Sequence, residues 1–290
     1  MSEIAATRAR FAAAIAQQGN LRSPALVQAL ATVAREDFLP PGPWAVWEML
    51  SWQYATTPDA DARRVYCDAP IAIDRERLLN NGQPSFVAML IDALDLHGGE
   101  HVVHVGCGTG YYTAVLAQTV GAAGHVIAIE YDADLAARAR ANLADVPQVS
   151  VIHGDGCTHD SGMADAMLIN AGATHPRALW LDRLRSGGRL IVPLVRWPSD
   201  ASESGVRGGG VVLKVTRGEI GYAARIVSSA MIFPCIGAVD TDADQRLAAA
   251  FARMTEADAI RSLRRDVHEA DASCWLHGDG FCLSIRPPNT

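Results

Sequence analysis

Short apolar runs rich in β-branched residues alternate with amphipathic stretches through the middle of this chain. Val102, Val103 and Val105, then Val126–Ile129, Val149–Ile152, Ala166–Ile169 and Arg189–Val192 read as buried strands, and 133–144 and 176–185 between them read as helices. Strands and helices alternating at this spacing predict an α/β fold with a doubly wound sheet. Ahead of it, Ile4, Phe11 and Ile15 over 3–18, and Leu26, Val27, Leu30 and Val33 after Pro24, predict two N-terminal helices that stop before Pro40 and Pro41. Ile71–Ile73 reads as a short extended piece, and Pro84 opens a helix carrying Phe86, Val87, Leu90, Ile91 and Leu94 on one face. Beyond the alternating region, Val211–Val215 and Tyr222–Phe233 read as an antiparallel pair, 243–265 as a helix, and the segment around Gly278–Asp279–Gly280 as a hairpin.

The intervening segments punctuate this pattern. Region 40–66 holds Trp44, Trp47 and Trp52 in an irregular setting, where a hydrophobic anchor for a loop is the favoured reading over a cover for a site. Residues 196–210 are polar and glycine-rich, and read as a mobile surface loop. The chain is therefore expected to comprise an N-terminal helical and Trp-rich segment (1–66), a main α/β domain (67–240) and a C-terminal helix and hairpin extension (241–290) packed on it.

Composition narrows the partners. A chain of 290 residues that is 49% hydrophobic can bury one large core. Its net charge of -7 argues against nucleic acid or an anionic membrane as a partner, since both require a basic footprint. No apolar run approaches the roughly 18 residues of a membrane helix, and the N-terminus lacks the apolar core of a signal peptide, so a cytoplasmic location is expected. The six cysteines never fall at C-x-x-C spacing, which points away from a zinc site or a redox pair and towards free thiols, with no metal expected. His101 and His104 point to opposite faces of their strand, and His104 reads as a buried imidazole.

The chemistry concentrates at strand ends. His101–Ala117 reads as strand, glycine loop, helix, with Gly106, Gly108 and Gly110 letting a ligand lie against the main chain and the unpaired N–H groups of the helix facing the same space. Glu130, twenty residues beyond Gly110, ends the next apolar run and can accept from both hydroxyls of a ribose. A dinucleotide fingerprint needs a small residue where Tyr111 stands, so G-x-G-x-G walled by Tyr111 and Tyr112 suits a bulky cofactor without a pyrophosphate. At the third strand end Asp155 can accept from an exocyclic adenine amine while Gly156 leaves room for the ring, and at the fourth Asn170–Pro176 forms a small-residue loop before a helix.

These motifs resemble class I S-adenosylmethionine-dependent methyltransferases. More narrowly, residues from about Asp68 to Gly237 are similar to protein-L-isoaspartate O-methyltransferases: Gly82–Gln83–Pro84 at a helix start, His104–Tyr111, Gly154–Asp155–Gly156, Asn170–Ala171–Gly172 and Gly187–Pro193 carry the likeness, and Arg35–Glu36–Asp37–Phe38 fits as well. The resemblance implies a Rossmann-like fold, S-adenosyl-L-methionine as cofactor, and Gly106, Cys107, Gly108, Gly110, Tyr111, Glu130, Tyr131, Asp155, Gly156 and Asn170 as its binding residues. It also implies a carboxylate of a protein or peptide as the acceptor, with a small molecule or a non-catalytic cofactor binder as alternatives. One position departs from the family. A hydroxyl residue is usual two places before the proline, where this chain has Gly82; Asn80 and Asn81 offer amide hydrogen bonds instead, and Ser85 lies beyond the proline. A carboxylate acceptor needs no general base, whereas a hydroxyl or ammonium acceptor would, and His175 is then the candidate.

Overall fold

The structure is a computed structural model that describes residues 2–197 and 208–288. Its elements, in chain order, begin with helices α1 (Glu3–Gln18) and α2 (Pro24–Thr32), strands β1 (Ala45–Glu48), β2 (Gln53–Thr56), β3 (Ala72–Asp74) and β4 (Leu79–Asn80), and helix α3 (Pro84–Ala93). The alternating region follows as β5 (His101–Val105), α4 (Tyr111–Val120), β6 (His125–Glu130), α5 (Ala133–Asn142), β7 (Val149–His153), β8 (Ala164–Ile169), α6 (Ala178–Asp182) and β9 (Leu184–Arg196). The chain closes with β10 (Gly208–Arg217), β11 (Tyr222–Ile232), α7 (Thr241–Phe251), β12 (Ser262–Arg264), β13 (Cys274–Gly278) and β14 (Phe281–Ser284). No helix among the described residues is long and apolar enough to cross a membrane.

Two compact units emerge, one of residues 1–100 and 107–153, the other of residues 101–106 and 154–290. In the first, β6 and β7 pair in parallel and α4 and α5 supply helical cover. Side-chain caps start three of this unit's helices: Asp132 accepts from the N–H groups of Asp134 and Leu135 at α5, and Ser2 and Ser23 accept from the Ala5 and Leu26 N–H groups at α1 and α2. Nine of the ten residues of α4 are buried, and this is why its sequence shows no polar face. In the Trp-rich region β1 and β2 form a hairpin, and Trp44 is buried with Val65 and Ile71 while Trp52 is 60% exposed. Trp44 is thus the anchor expected of that segment.

The second unit is a mixed sheet. β5, β8 and β9 run parallel, and β9, β10, β11, β12, β14 and β13 continue it by antiparallel pairing. Two expectations need correcting. β9 and β10 extend far beyond the apolar runs read from sequence, because backbone pairing continues through polar and glycine positions such as Gly209 and Gly210 opposite Arg196 and Val195. The helix expected over 243–265 ends at Phe251. A 3-10 turn over Met254–Ala259 follows, and Ser262–Arg264 then joins the sheet, with Leu263 opposite both Tyr222 and Leu283. Of the polar loop expected over 196–210, residues 198–207 lie outside the described residues. His104 is fully buried, as its strand position suggested, and burial holds its pKa down at about 3.

Candidate functional site

In the first unit, the glycine loop and the end of β6 meet. The Gly108 N–H donates to Glu130 Oε2 at 2.7 Å, and the Asp132 N–H donates to Glu130 Oε1 at 3.1 Å. An ionised carboxylate has about four lone-pair sites, so these donors do not saturate it. Burial raises the Glu130 pKa above its ordinary value, and the N–H groups of Asp132, Gly108 and Tyr131 only partly oppose that. Gly110 enters α4 at φ +96°, and a Cβ there would lie 2.7 Å from Leu143 Cδ1, so both conformation and space demand glycine. At Gly108 a Cβ would meet nothing nearer than Ile73 Cδ1 at 3.8 Å, which leaves the main chain open on that side. The loop is braced from outside: Thr109 Oγ1 donates to Phe38 O at 2.7 Å, and Asn142 Nδ2 donates to Thr109 O at 2.9 Å. Cys107 is buried beside Glu130, and its thiol pKa is pushed up, so it stays protonated. Tyr111 and Tyr112 stack edge to face at 4.9 Å with both hydroxyls buried and unpartnered, whereas Tyr131 is 52% exposed.

The loop before α3 is organised differently. Gly82 adopts φ +76° and its N–H donates to Asn80 Oδ1 at 3.0 Å, while Asn80 Nδ2 donates to the Tyr54 hydroxyl at 3.0 Å. Asn81 Oδ1 accepts from the Ile71 N–H at 2.9 Å and from Arg35 Nη2 at 3.2 Å; its Nδ2 is buried without a partner. Arg35 itself is fully buried, donating to the carbonyls of Val65, Cys67 and Ala69 at 2.6, 2.8 and 2.9 Å. Asp68 supplies the cap that α3 lacks at Gln83. It accepts from the Ser85 N–H at 2.7 Å, from Ser85 Oγ at 2.6 Å and from Gln83 Nε2 at 3.1 Å. Tyr66 completes the frame, taking donations from Arg8 Nε and the Arg35 N–H and bonding to Glu36.

In the second unit, Gly106 follows β5 with its Cα packed on Asn170: a Cβ would lie 3.3 Å from Asn170 O. The Asn170 N–H donates to Val105 O at 2.8 Å. Asp155 Oδ1 accepts from the Cys157 N–H at 2.8 Å, and Gly237 approaches so closely that a Cβ there would lie 2.6 Å from Asp155 Oδ2. Gly156 is pressed against Val105, where a Cβ would be 2.4 Å from Cγ1, and its carbonyl accepts from Trp180 Nε1 at 2.8 Å. Cys157 and Cys235 lie with sulfurs 3.8 Å apart, both buried and both free.

His175 has both ring nitrogens engaged. Thr174 Oγ1 donates to Ala238 O at 3.1 Å and accepts from the Asp240 N–H, so toward His175 Nδ1, at 3.1 Å, it can only accept. Nδ1 therefore carries the proton, and Nε2 accepts from Arg177 Nη1 at 3.3 Å. Burial and the Arg177 charge lower the pKa of His175, and its ring stacks on Phe281 at 5.9 Å. No lone pair of this imidazole is left over for a substrate proton.

Several roles escaped the sequence reading. Arg35, read only as part of Arg35–Phe38, and Asp68 organise the loop before α3, yet a single charge that acts across the fold carries no periodic signal. His268, Cys274, His277 and Cys282 each bring one ligand-type atom within 4.8 Å of the others. The reading of no metal site rested on C-x-x-C spacing and missed this group. Counting histidine as a ligand would have exposed Cys274-x-x-His277, and strand register supplies the rest.

Comparison with known proteins agrees with the resemblance. Residues 7–203 match the family described as Protein-L-isoaspartate(D-aspartate) O-methyltransferase. A protein-L-isoaspartate O-methyltransferase of Methylorubrum populi is 36% identical over 216 residues, covering 73% of this chain and 86% of that protein. Its counterpart from Methanothermobacter thermautotrophicus is 29% identical over 194 residues, 64% of this chain and 79% of that one. Among solved structures, a protein-L-isoaspartate O-methyltransferase superposes with a TM-score of 0.61 at 20% identity, covering 90% of this chain and 73% of the other. A Plasmodium falciparum structure described as a protein of the same kind in complex with S-adenosyl-L-homocysteine gives 0.59 at 16% identity, over 79% of this chain and 97% of the other. The two superpositions place the fold among class I methyltransferases, as the alternating pattern and motifs implied.

Proposed function

We propose a function that proceeds from one premise: this chain belongs to the protein-L-isoaspartate(D-aspartate) O-methyltransferase family. It is an S-adenosyl-L-methionine-dependent methyltransferase. Our reading of the acceptor is a carboxylate of a protein or peptide. The observation that carries the donor assignment is the Gly108 N–H bound to Glu130 at 2.7 Å, which holds a carboxylate against a glycine loop while leaving it lone pairs for ribose hydroxyls. The open main chain at Gly108 fits a bulky cofactor lying on the loop.

When bound, the cofactor supplies a methyl group activated by its sulfonium. The residues of this chain then have one task, to hold donor and acceptor in line, and positioning of this kind provides most of the rate gain. In our assignment Glu130 takes the ribose, Tyr131 offers its exposed ring to the base, and Gly106, Cys107, Gly108, Gly110 and Tyr111 shape the loop. Asp155, Gly156 and Asn170 keep the cofactor-binding roles that the family resemblance gives them. An acceptor carboxylate, with a pKa of about 4, is already ionised at neutral pH and needs no base. The engaged nitrogens of His175 agree with that economy. We assign the Asn81 amide, whose Nδ2 is buried without a partner, to the acceptor in place of the hydroxyl that Gly82 lacks.

One observation favours a second reading, a non-isoaspartyl or small-molecule acceptor. Gly82 offers no hydroxyl, and the side-chain carbonyls of Asn80 and Asn81 are both used internally. Incubation with methyl-labelled cofactor separates the two. Base-labile label on an isoaspartyl peptide, and not on its aspartyl twin, supports isoaspartyl transfer. Label found solely in small molecules of a lysate overturns carboxyl transfer to protein.

A further inference from the structure

We infer that the C-terminal extension carries a closed zinc site made by His268, Cys274, His277 and Cys282. Two thiols and two imidazoles are a complete tetrahedral donor set for this ion, and four protein ligands leave no open position, so the site is structural and not hydrolytic. The geometry is close to assembled. Zinc bound at about 2.3 Å from sulfur and about 2.0–2.1 Å from nitrogen sets neighbouring donors roughly 3.4–3.8 Å apart. Cys274 Sγ and His268 Nε2 are 3.6 Å apart, and no pair of the four donors exceeds 4.8 Å.

Neighbouring groups orient these ligands as a metal requires. His268 Nδ1 faces Asp266 O at 2.9 Å and donates its proton there, which fixes the tautomer and leaves the Nε2 lone pair for the site. Asp266 is in turn held by Arg264 at 2.6 Å. The Asp271 N–H points at Cys274 Sγ at 3.5 Å, an N–H donor suited to a thiolate. His277 Nδ1 is buried with no hydrogen-bond partner, a cost that an apolar hairpin would not carry without return. A thiol–imidazole contact alone leaves that nitrogen unexplained; a metal removes the difficulty.

Topology gives the ion a purpose. Cys282 on β14 faces His277 on β13 and Arg264 on β12, Cys274 starts β13, and His268 stands in the irregular stretch between β12 and β13. One ion therefore ties that stretch to both strands of a hairpin whose second strand opens with Phe281. Phe281 stacks on His175, and the two line a cleft of about 260 Å³ with Cys157 and Arg177.

The test uses the full chain. Elemental analysis of the purified protein is expected to find one equivalent of zinc, lost in Cys274→Ser and in Cys282→Ser and retained in Cys157→Ser. Cobalt(II) added to the metal-stripped wild type is expected to give the strong visible bands and thiolate charge-transfer absorption of a tetrahedral site. Full zinc retention in the double variant Cys274→Ser/Cys282→Ser overturns the assignment. So does a wild-type chain that holds no zinc and yields only an octahedral cobalt spectrum, a readout that stands even if the variants fail to fold.

Discussion

Two loops of the first unit, both turning on glycine at positive φ, use their polar groups in opposite ways. The loop at Cys107–Gly110 keeps its main chain open at Gly108, and Glu130, which accepts from that N–H, is not saturated by its backbone donors. The loop at Asn80–Gln83 is spent on itself: Asn80 binds Gly82 and Tyr54, Asn81 binds Ile71 and Arg35, and Gln83 binds Asp68. In our assignment the first, the donor loop, meets a ligand, while the second, the acceptor loop, holds its own shape. A motif can therefore transfer from family to chain in one loop and be rewired in the other.

Removing the frame of the acceptor loop should break the contrast most severely. Arg35→Ala strands the carbonyls of Val65, Cys67 and Ala69 in the interior, and we expect a loss of about 3–5 kcal/mol in denaturant unfolding. A loss below about 1 kcal/mol would mean that water replaces the guanidinium and that the frame is not rigid. Glu130→Ala tests the donor loop. Two hydrogen bonds from ribose hydroxyls to a charged acceptor are together worth about 3 kcal/mol, so S-adenosyl-L-homocysteine should bind roughly 100-fold more weakly by calorimetry. Unchanged affinity would refute the ribose assignment.

Acid should reach the donor loop first. Burial favours the protonated form of Glu130, so its native pKa lies above the ordinary value. Its contribution to folding is thus fully present below the unfolded pKa and falls as pH rises through the native one. Cofactor binding runs the other way, because only the ionised carboxylate accepts from both hydroxyls. We expect affinity to fall by up to about tenfold per pH unit below the raised pKa, beginning at a higher pH than a free glutamate would give. A pH-independent affinity down to the ordinary carboxylate range would show that the carboxylate does not meet the ligand.

What could be read from the sequence follows the same division. The donor loop was legible because its chemistry is local: three glycines between a β-branched strand and a helix, with an acid at the end of the next strand, all lie in a single span of chain. Pro84 marked the start of α3 for the same reason. The frame around Asn81 was not legible, since Arg35, Val65 and Asp68 meet it from separate segments and nothing periodic announces them. His175 stood at the expected strand end, but only the folded hydrogen bonds of Thr174 and Arg177 show that its lone pair is occupied. The histidines and cysteines of the C-terminal hairpin converge through strand register, which spacing rules written for C-x-x-C do not see. The end of α7 was misread for a related reason: Leu247 and Leu263 both suit a helix, and pairing with β11 and β14 decides for strand at Leu263.

The smallest expected effect bears most directly on the acceptor. Gly82→Ser restores a hydroxyl where the family usually has one, but it does so at φ +76° and with a Cβ 3.0 Å from Val87 Cγ2. Left-handed backbone and a tight contact should cost about 1–2 kcal/mol, read as a lowered melting temperature. The Gly82 N–H still reaches Asn80 Oδ1 in the variant, so the loop keeps its shape while gaining a donor. Two outcomes then separate cleanly. A rise in turnover on isoaspartyl peptide despite the lost stability identifies the missing hydroxyl as what limits this acceptor. Lost stability with unchanged turnover, together with a loss of turnover in Asn81→Ala, places the acceptor contact at the Asn81 amide and makes glycine at 82 a requirement of the turn.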